Sequence, residues 1–274
     1  MVREFRSPLV PDANAGRVAV VTGGGTGIGR ATAIELGRTG ARVAICGRRT
    51  APLEEARAAI EAAGTECLAM PTDVREPEQV DALLEAVGER FGFADVLVNG
   101  AGGQFMARPE DTSLKGFRAV HRLNVDAAWD LTTKVATRWM IPRRSGLVVF
   151  MGFSPRRGIP GVVHSSAARA ALENLAGGLS NEWSRFGVRA VAVSCGLIDT
   201  EGVRGYGGEA LLREWETQVP MKRAGLPEEV GATIAFLASP GGAYITGTTV
   251  VVDGGADAWG LATEPPALNP PAGD

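Results

Sequence analysis

The run Thr22-Gly-Gly-Gly-Thr-Gly-Ile-Gly29, directly after the apolar Arg17-Val-Ala-Val-Val21, has the residue types and spacing to cradle a pyrophosphate. Gly23 lets the chain reverse at an unusual φ, Gly27 lets the backbone come close to the phosphates, and Gly29 lets the outgoing helix sit against the sheet. Unpaired N–H groups at the start of that helix then point at the anion. Gly23, Gly25, Thr26, Gly27, Ile28 and Gly29 are therefore the expected cofactor contacts. A glycine pattern alone also fits a plain strand-to-helix turn; the strand before it and the amphipathic Arg30 to Arg38 after it supply the context the motif needs. Further on, Cys46-Gly47-Arg48-Arg49 closes the second apolar run. An acidic residue there would hold the adenosine ribose of NAD, whereas Arg48 and Arg49 attract the 2′-phosphate of NADP, so NADPH/NADP is the expected cofactor. The competing reading leaves both arginines as solvated residues opening the next helix. Thr72-Asp73-Val74 and Asn99-Gly100-Ala101-Gly102 end the third and fourth runs on the same nucleotide-binding edge. His121 and His164, the two histidines, invite acid–base or metal roles, but their separation and the lack of a clustered third ligand argue against a metal, and none is expected.

Positioning these groups requires a sheet whose strands all end on one side. Short β-branched runs near 17–22, 42–47, 66–71, 94–99, 146–152, 188–194 and 248–252 alternate with helical patterns at 27–39, 51–64, 76–91, 112–141, 162–186 and 227–238. This rhythm predicts a single doubly wound α/β domain of the Rossmann type: a seven-stranded parallel sheet with helices on both faces. Residues 16–260 form the domain, 1–15 an N-terminal extension and 261–274, rich in proline, a disordered tail. The connection at 199–224 is long, glycine-rich and partly amphipathic, which suggests a lid over a small-molecule substrate. A length of 274 residues with 45% hydrophobic content can bury a large core. The net charge of −3 gives no basic excess for nucleic acid or an acidic membrane, and no apolar run reaches a spanning length. Cys46, Cys67 and Cys195 are odd in number and set in apolar segments, so they read as core thiols of a reducing cytoplasm rather than a disulfide framework. The N-terminus has no secretory pattern.

From residue 15 to 258 the sequence resembles the short-chain dehydrogenase/reductase family. The glycine run, Asn99-Gly-Ala-Gly102, Asp253-Gly254-Gly255 and Cys195-Gly-Leu-Ile-Asp-Thr200, a PGxIxT-like turn with Cys195 at the proline, carry the likeness. The resemblance implies adenine contacts from Asp73 and Val74, a place for Asn99, Gly100 and Ala101 at the adenosine end, and nicotinamide contacts from Gly196, Ile198 and Thr200. It also implies a homotetramer built through the helices at 112–141 and 162–186.

The catalytic positions depart from that pattern. Family members present an Asn, a Ser and a Tyr followed four residues later by Lys. Asn124 matches, but the alignment puts Gly152 at the serine, Ser165 at the tyrosine and Arg169 at the lysine. Ketone reduction needs a proton at the developing alkoxide, and neither Ser165 nor an arginine delivers one as that Tyr–Lys pair does. Gly102-Gly-Gln-Phe105, Lys115-Gly116, His164-Ser-Ser-Ala-Ala-Arg-Ala170 and Tyr206-Gly207 resemble peroxisomal trans-2-enoyl-CoA and 2,4-dienoyl-CoA reductases, which reduce carbon–carbon double bonds of CoA thioesters; Glu173 stands where the mammalian enoyl reductase has a tyrosine and Gly177 where it has a lysine. The resemblance implies an acyl-CoA substrate and an enolate held by hydrogen-bond donors. Ser165 and Asn124 are expected donors, Arg169 a ribose contact and charge stabiliser, His164 a substrate-polarising group, and Tyr206 or water the proton source. Bland readings stand beside these: Ser165 as packing, Arg169 paired with Glu173, Asn124 satisfying helix backbone and His164 packed in the core. His121 is expected on a helix surface. Arg156 and Arg157 are either CoA-phosphate contacts or a solvated basic loop, and Phe153 and Trp215 are either pocket walls or packing. Three functions follow in order: an NADPH-dependent 2-enoyl-thioester reductase, a carbonyl reductase with another acid, and a silent or non-redox nucleotide-binding protein.

Overall fold

Buried apolar runs and amphipathic helices assemble as the alternation requires. A computed structural model describes residues 5–259. Seven parallel strands, β1 Val18–Thr22, β2 Arg42–Gly47, β3 Cys67–Pro71, β4 Val96–Asn99, β5 Gly146–Phe153, β6 Val188–Cys195 and β7 Thr249–Val252, form one sheet in the order β3-β2-β1-β4-β5-β6-β7. β1 is buried along its whole length, as a strand covered on both faces must be. One face packs under α1 Gly27–Arg38, α2 Thr50–Ala62 and α10 Pro227–Ala238, through residues such as Leu36, Leu53 and Ile234. The other lies under α3 Pro77–Phe91, α5 Ala127–Val135 and α7 Val163–Trp183, through Leu83, Leu131 and Leu172. In α3 the local logic is explicit: Pro77 opens the first turn, Val80, Leu83, Leu84, Val87 and Phe91 are buried at helical spacing, and Gly92 at φ 85 ends the helix. The strand order reverses between β1 and β4, where a doubly wound sheet opens a crevice at its carboxyl edge.

One expectation needs correction, and two segments gain detail. The helix expected over 112–141 starts at Leu114 and is not uniform: α4 Leu114–His121 leads through a π-turn at Arg122–Asp126 into α5, and a second π-turn at Ala136–Met140 leads into α6 Ile141–Arg143. Periodicity cannot register an extra residue accommodated inside a continuous helix. The 199–224 lid contains two helices, α8 Glu201–Arg204 and α9 Gly208–Thr217, before α10. Finally, the extension is packed down, since buried Asn14 donates through Nδ2 to Thr39 Oγ1 and to the Ala235 carbonyl. The short helix α11 Ala256–Trp259 follows β7. The expected tail at 261–274 lies outside the described residues. Among the described residues no helix is long and apolar enough to cross a membrane.

Candidate active site

The glycine turn behaves as its residues dictate. Gly23 sits at φ +70 and Gly27 at φ +51, values that favour glycine. A Cβ at Gly29 would lie 2.3 Å from the Gly23 carbonyl oxygen, so only glycine lets α1 leave at this angle. No side chain caps the start of α1, which leaves its leading N–H groups facing the crevice. Arg48 and Arg49 stand exposed just past β2. Arg48 lies close enough to Asp73 to help hold its carboxyl low, although the larger cause is the hydrogen-bonded Arg75, and together they bring it to about 2. Val74 and Ala101 border a small recess beside Asn99. Asn99 itself donates to Thr132 Oγ1 at 3.0 Å, tying β4 to α5, while Gly100 N–H returns to the Val98 carbonyl. On the far side Gly196 N–H bonds the Val252 carbonyl, Ile198 is bridged to Gly225, and the Thr200 hydroxyl caps α8. Ile28, Gly29, Gly100, Gly196, Ile198 and Thr200 share a cavity of about 150 Å³, with Arg169 in its wall. Gly25 and Thr26 complete the turn between β1 and α1.

Arg169 enters this cavity from α7. Its Nη1 donates to the Met151 carbonyl at 2.6 Å, while Nε is cut off from solvent and has no partner. The guanidinium lies over the Phe153 ring at 5.4 Å. Burial lowers its pKa to about 10, with Cys195 opposing the shift, so it stays cationic at neutral pH. The Arg169–Glu173 pairing does not form, because Glu173 accepts hydrogen bonds from Ser194 and Thr249 instead. A Cβ at Gly102 would meet Arg169 Nη2 and Asn124 Oδ1, at 2.4 and 2.7 Å, so both groups converge on that glycine.

Asn124 and Ser165 are placed at the centre but their hydrogens are committed elsewhere. Asn124 Nδ2 donates to the Gly103 and Val120 carbonyls, leaving only its acceptor oxygen unpartnered. Ser165, fully buried, donates its hydroxyl hydrogen to Gln104 Oε1 at 3.0 Å. In this arrangement neither offers a free hydrogen, since an amide whose two hydrogens are bonded has none left for a substrate. Their effect is to position the Gly103–Gln104 segment. Gln104 Nε2 has no protein partner among the described residues, and sequence reasoning did not single it out. Gly152, at the aligned serine position, has no room for one: a Cβ there would lie 2.3 Å from Ser194 Oγ and 2.9 Å from Glu173 Oε1.

Other expected residues fall outside this cluster. Tyr206 is exposed and turns toward Trp215, 6.4 Å between rings, away from the cavity wall. His164 is fully buried, stacked on Phe105 at 4.2 Å, with neither ring nitrogen partnered. His121 is half-buried rather than on the surface, since it stacks on Phe117 and its Nε2 is enclosed. Arg156 bonds Asp257, whereas Phe153 does line the cavity. Cys46, Cys67 and Cys195 are free, and burial pushes each thiol up to about 12. No group of three metal-ligating side chains occurs among the described residues.

Residues 23–257 match the family model described as enoyl-(acyl carrier protein) reductase. The chain belongs to the short-chain dehydrogenase/reductase family. Curated relatives of this short-chain dehydrogenase/reductase include a probable 2,4-dienoyl-CoA reductase 3 of Caenorhabditis elegans, 33% identical over 91% of this chain and 83% of its own. A 3-oxoacyl-[acyl-carrier-protein] reductase of Synechocystis is 35% identical over 87% of this chain and 96% of its own. Among solved structures, that of a gluconate 5-dehydrogenase from Beutenbergia cavernae with bound NADP superposes with a TM-score of 0.84 at 33% identity, covering 91% of this chain and 100% of that one. The protein is thus an NAD(P)-dependent oxidoreductase of the short-chain dehydrogenase/reductase family. The glycine turn, the uncapped α1 and the cavity fit a dinucleotide: Gly23 to Gly29 would hold the pyrophosphate, and Gly196, Ile198 and Thr200 the nicotinamide end.

Proposed function

We propose that the protein is an NADPH-dependent reductase of 2-enoyl thioesters of the acyl-CoA type. The observation that carries this reading is Arg169: a guanidinium in the cavity wall with a free, desolvated Nε and no carboxylate partner among the described residues. A buried cation without a counter-ion costs free energy unless an anion arrives, and an enolate oxygen formed during reaction is such an anion. The dinucleotide, when bound, would supply the hydride that the β-carbon receives. As that bond forms, the double-bond electron pair shifts through the α-carbon to the thioester oxygen, where Arg169 and the Gln104 amide offer donors. Asn124 and Ser165 hold Gln104 and its loop in place. Because Tyr206 is exposed, the α-carbon proton is assigned to water. The names of relatives such as the C. elegans reductase support an acyl-CoA substrate. A second reading, carbonyl reduction, is favoured by the Synechocystis relative.

Spectrophotometric NADPH oxidation tests the proposal. Turnover is expected with a trans-2-enoyl-CoA and is expected to be negligible with ketones of similar size. Robust ketone reduction would transfer the assignment to a carbonyl reductase, and silence with both classes despite cofactor binding to a non-redox protein.

Cofactor choice rests on Arg48 and Arg49. NADPH should bind more tightly than NADH by roughly one to two orders of magnitude, as charge-assisted phosphate pairing provides. Calorimetry on Arg48→Ala should lose most of that margin; equal affinities in the parent protein would end the assignment. For assembly we place a homotetramer contact on the outer faces of α4, α5 and α7. There Leu114 and Trp129 are 62% and 47% exposed and a Cβ at Gly177 or Gly178 would meet open space.

A further inference from the structure

The two histidines raise a question that the proposed chemistry leaves open. Three of their ring nitrogens, His121 Nε2 and both of His164, are buried without a hydrogen-bond partner. Buried polar atoms are normally satisfied, so such a group marks a place where charge or hydration is meant to change. His164 stands at the start of α7 and stacks face to face on Phe105, with the planes 20° apart. Phe105 is wedged from its other edge by α4, where a Cβ at Gly116 would touch its Cζ at 3.0 Å. The next residue of α4, Phe117, carries His121, one turn on, against its own face.

The loop between these helices is pinned rung by rung. Asn124 holds the Gly103 carbonyl, Ser165 holds Gln104, His164 holds Phe105 by stacking, and Ala107 N–H bonds the Gly161 carbonyl at 2.9 Å. His164 is the one titratable group among these fastenings. An imidazolium there would need two acceptors, and the Phe105 backbone offers at most one. Of the surrounding charged groups, His121 is the one that acts against it. Cations on the packed elements are Arg108, Lys115, Arg118, Arg122, Arg157 and Arg169, joined by His121 when protonated. Of the nearby carboxylates, Glu110 and Asp111 are engaged by Arg108, Glu173 by Ser194 and Thr249, and Asp126 is exposed.

We infer that His164, opposed by His121, is a positioning residue that latches the Gly103–Ala107 loop while neutral and releases it on protonation. Burial lowers the His164 pKa below the ordinary 6.5; the Phe105 backbone acceptor opposes that shift, and repulsion from His121 adds a smaller lowering. The latch therefore holds fully above pH 6.5 and is lost as pH falls through the lowered value. The link to catalysis rests on the thioester reading, because Gln104 then loses its place at the substrate oxygen.

Hydrogen exchange of the 103–107 peptide in the cofactor-free protein, referenced to a β1 peptide, tests the latch without any substrate. Protection should fall by up to about tenfold per pH unit between pH 6.5 and the lowered value, as uptake of one proton dictates, and level off below it. His164→Phe keeps a stacking ring that cannot titrate, so its protection should be flat, while His121→Phe should move the midpoint to higher pH. Flat protection in the parent protein, or the same acid loss in His164→Phe, would overturn the inference. Should His164→Phe fail to fold, NMR titration of the two imidazoles decides: a His164 pKa at or above 6.5 refutes it. With an active enoyl-CoA assay, acid should lower kcat in the parent protein more than it raises KM. An acid-labile loop without any enoyl-CoA turnover would keep the latch and remove the thioester reading.

Discussion

Replacing Arg169 by methionine should lower turnover with an enoyl thioester by ~10²–10³-fold, the range seen when a preorganised donor to a developing oxyanion is removed. The substitution keeps a long apolar stem against Phe153 and deletes the cation. Stability should change little. The Met151 carbonyl loses its donor, at a cost of about 1–3 kcal/mol if it stays dry, but the fold no longer has to desolvate an unpaired charge. Steady-state rates and thermal melts of the same preparation separate the two effects. Retention of more than about a tenth of the parent turnover, with an intact melt, would show that the oxyanion is stabilised elsewhere. Arg169→Lys should be intermediate, since it keeps charge but not the planar fork that reaches the Met151 carbonyl and the cavity together.

Gly29→Ala should abolish measurable cofactor binding, weakening it by at least ~10²-fold, and should cost roughly 1–3 kcal/mol of stability through overpacking. The new methyl would lie 2.3 Å from the carbonyl oxygen and 2.8 Å from the carbonyl carbon of Gly23, backbone atoms that cannot swing aside as a side chain can. To relieve the clash α1 must move off β1, and its leading N–H groups move with it. Calorimetry with NADP and chemical denaturation measure both consequences. Undiminished binding by a folded Gly29→Ala protein would mean that the phosphates are held by some other part of the crevice.

The fold was legible because its signals are local and repeated. β-branched runs, glycines at forced φ values and helical spacing in α3 each specify structure without reference to distant residues. The nucleotide edge shared that legibility, as Gly23, Gly27 and Gly29 are defined by backbone geometry. The catalytic side was less readable, for a physical reason: what a polar side chain can do depends on which of its hydrogens are already spent. Nothing in the run around Asn124 reveals that both amide hydrogens go to the Gly103 and Val120 carbonyls. Likewise, Gln104 is a neutral residue in a loop, with no motif of its own, and only the structure shows Ser165 donating to its oxygen. Tyr206 shows the same dependence from the other side, since a residue type suited to proton transfer stands exposed beside Trp215.

The π-turn at Arg122–Asp126 has a bearing on sequence change. Such a turn carries one residue more than an α-turn over nearly the same rise, and each residue advances the helix by about 100°. Ahead of it, α4 presents Gly116 and His121 toward the loop; behind it, α5 presents Ala128, Leu131 and Val135 to the sheet. A single-residue deletion within 122–126 would let the segment relax into regular helix, but would rotate one half against the other by that angle. Length variation here is therefore confined: point substitution on the exposed positions is tolerable, whereas a frame slip of one residue must break either the hold of Asn124 on Gly103 or the seating of Leu131. Comparisons of this segment among relatives should accordingly align without gaps from the start of α4 to the end of α5.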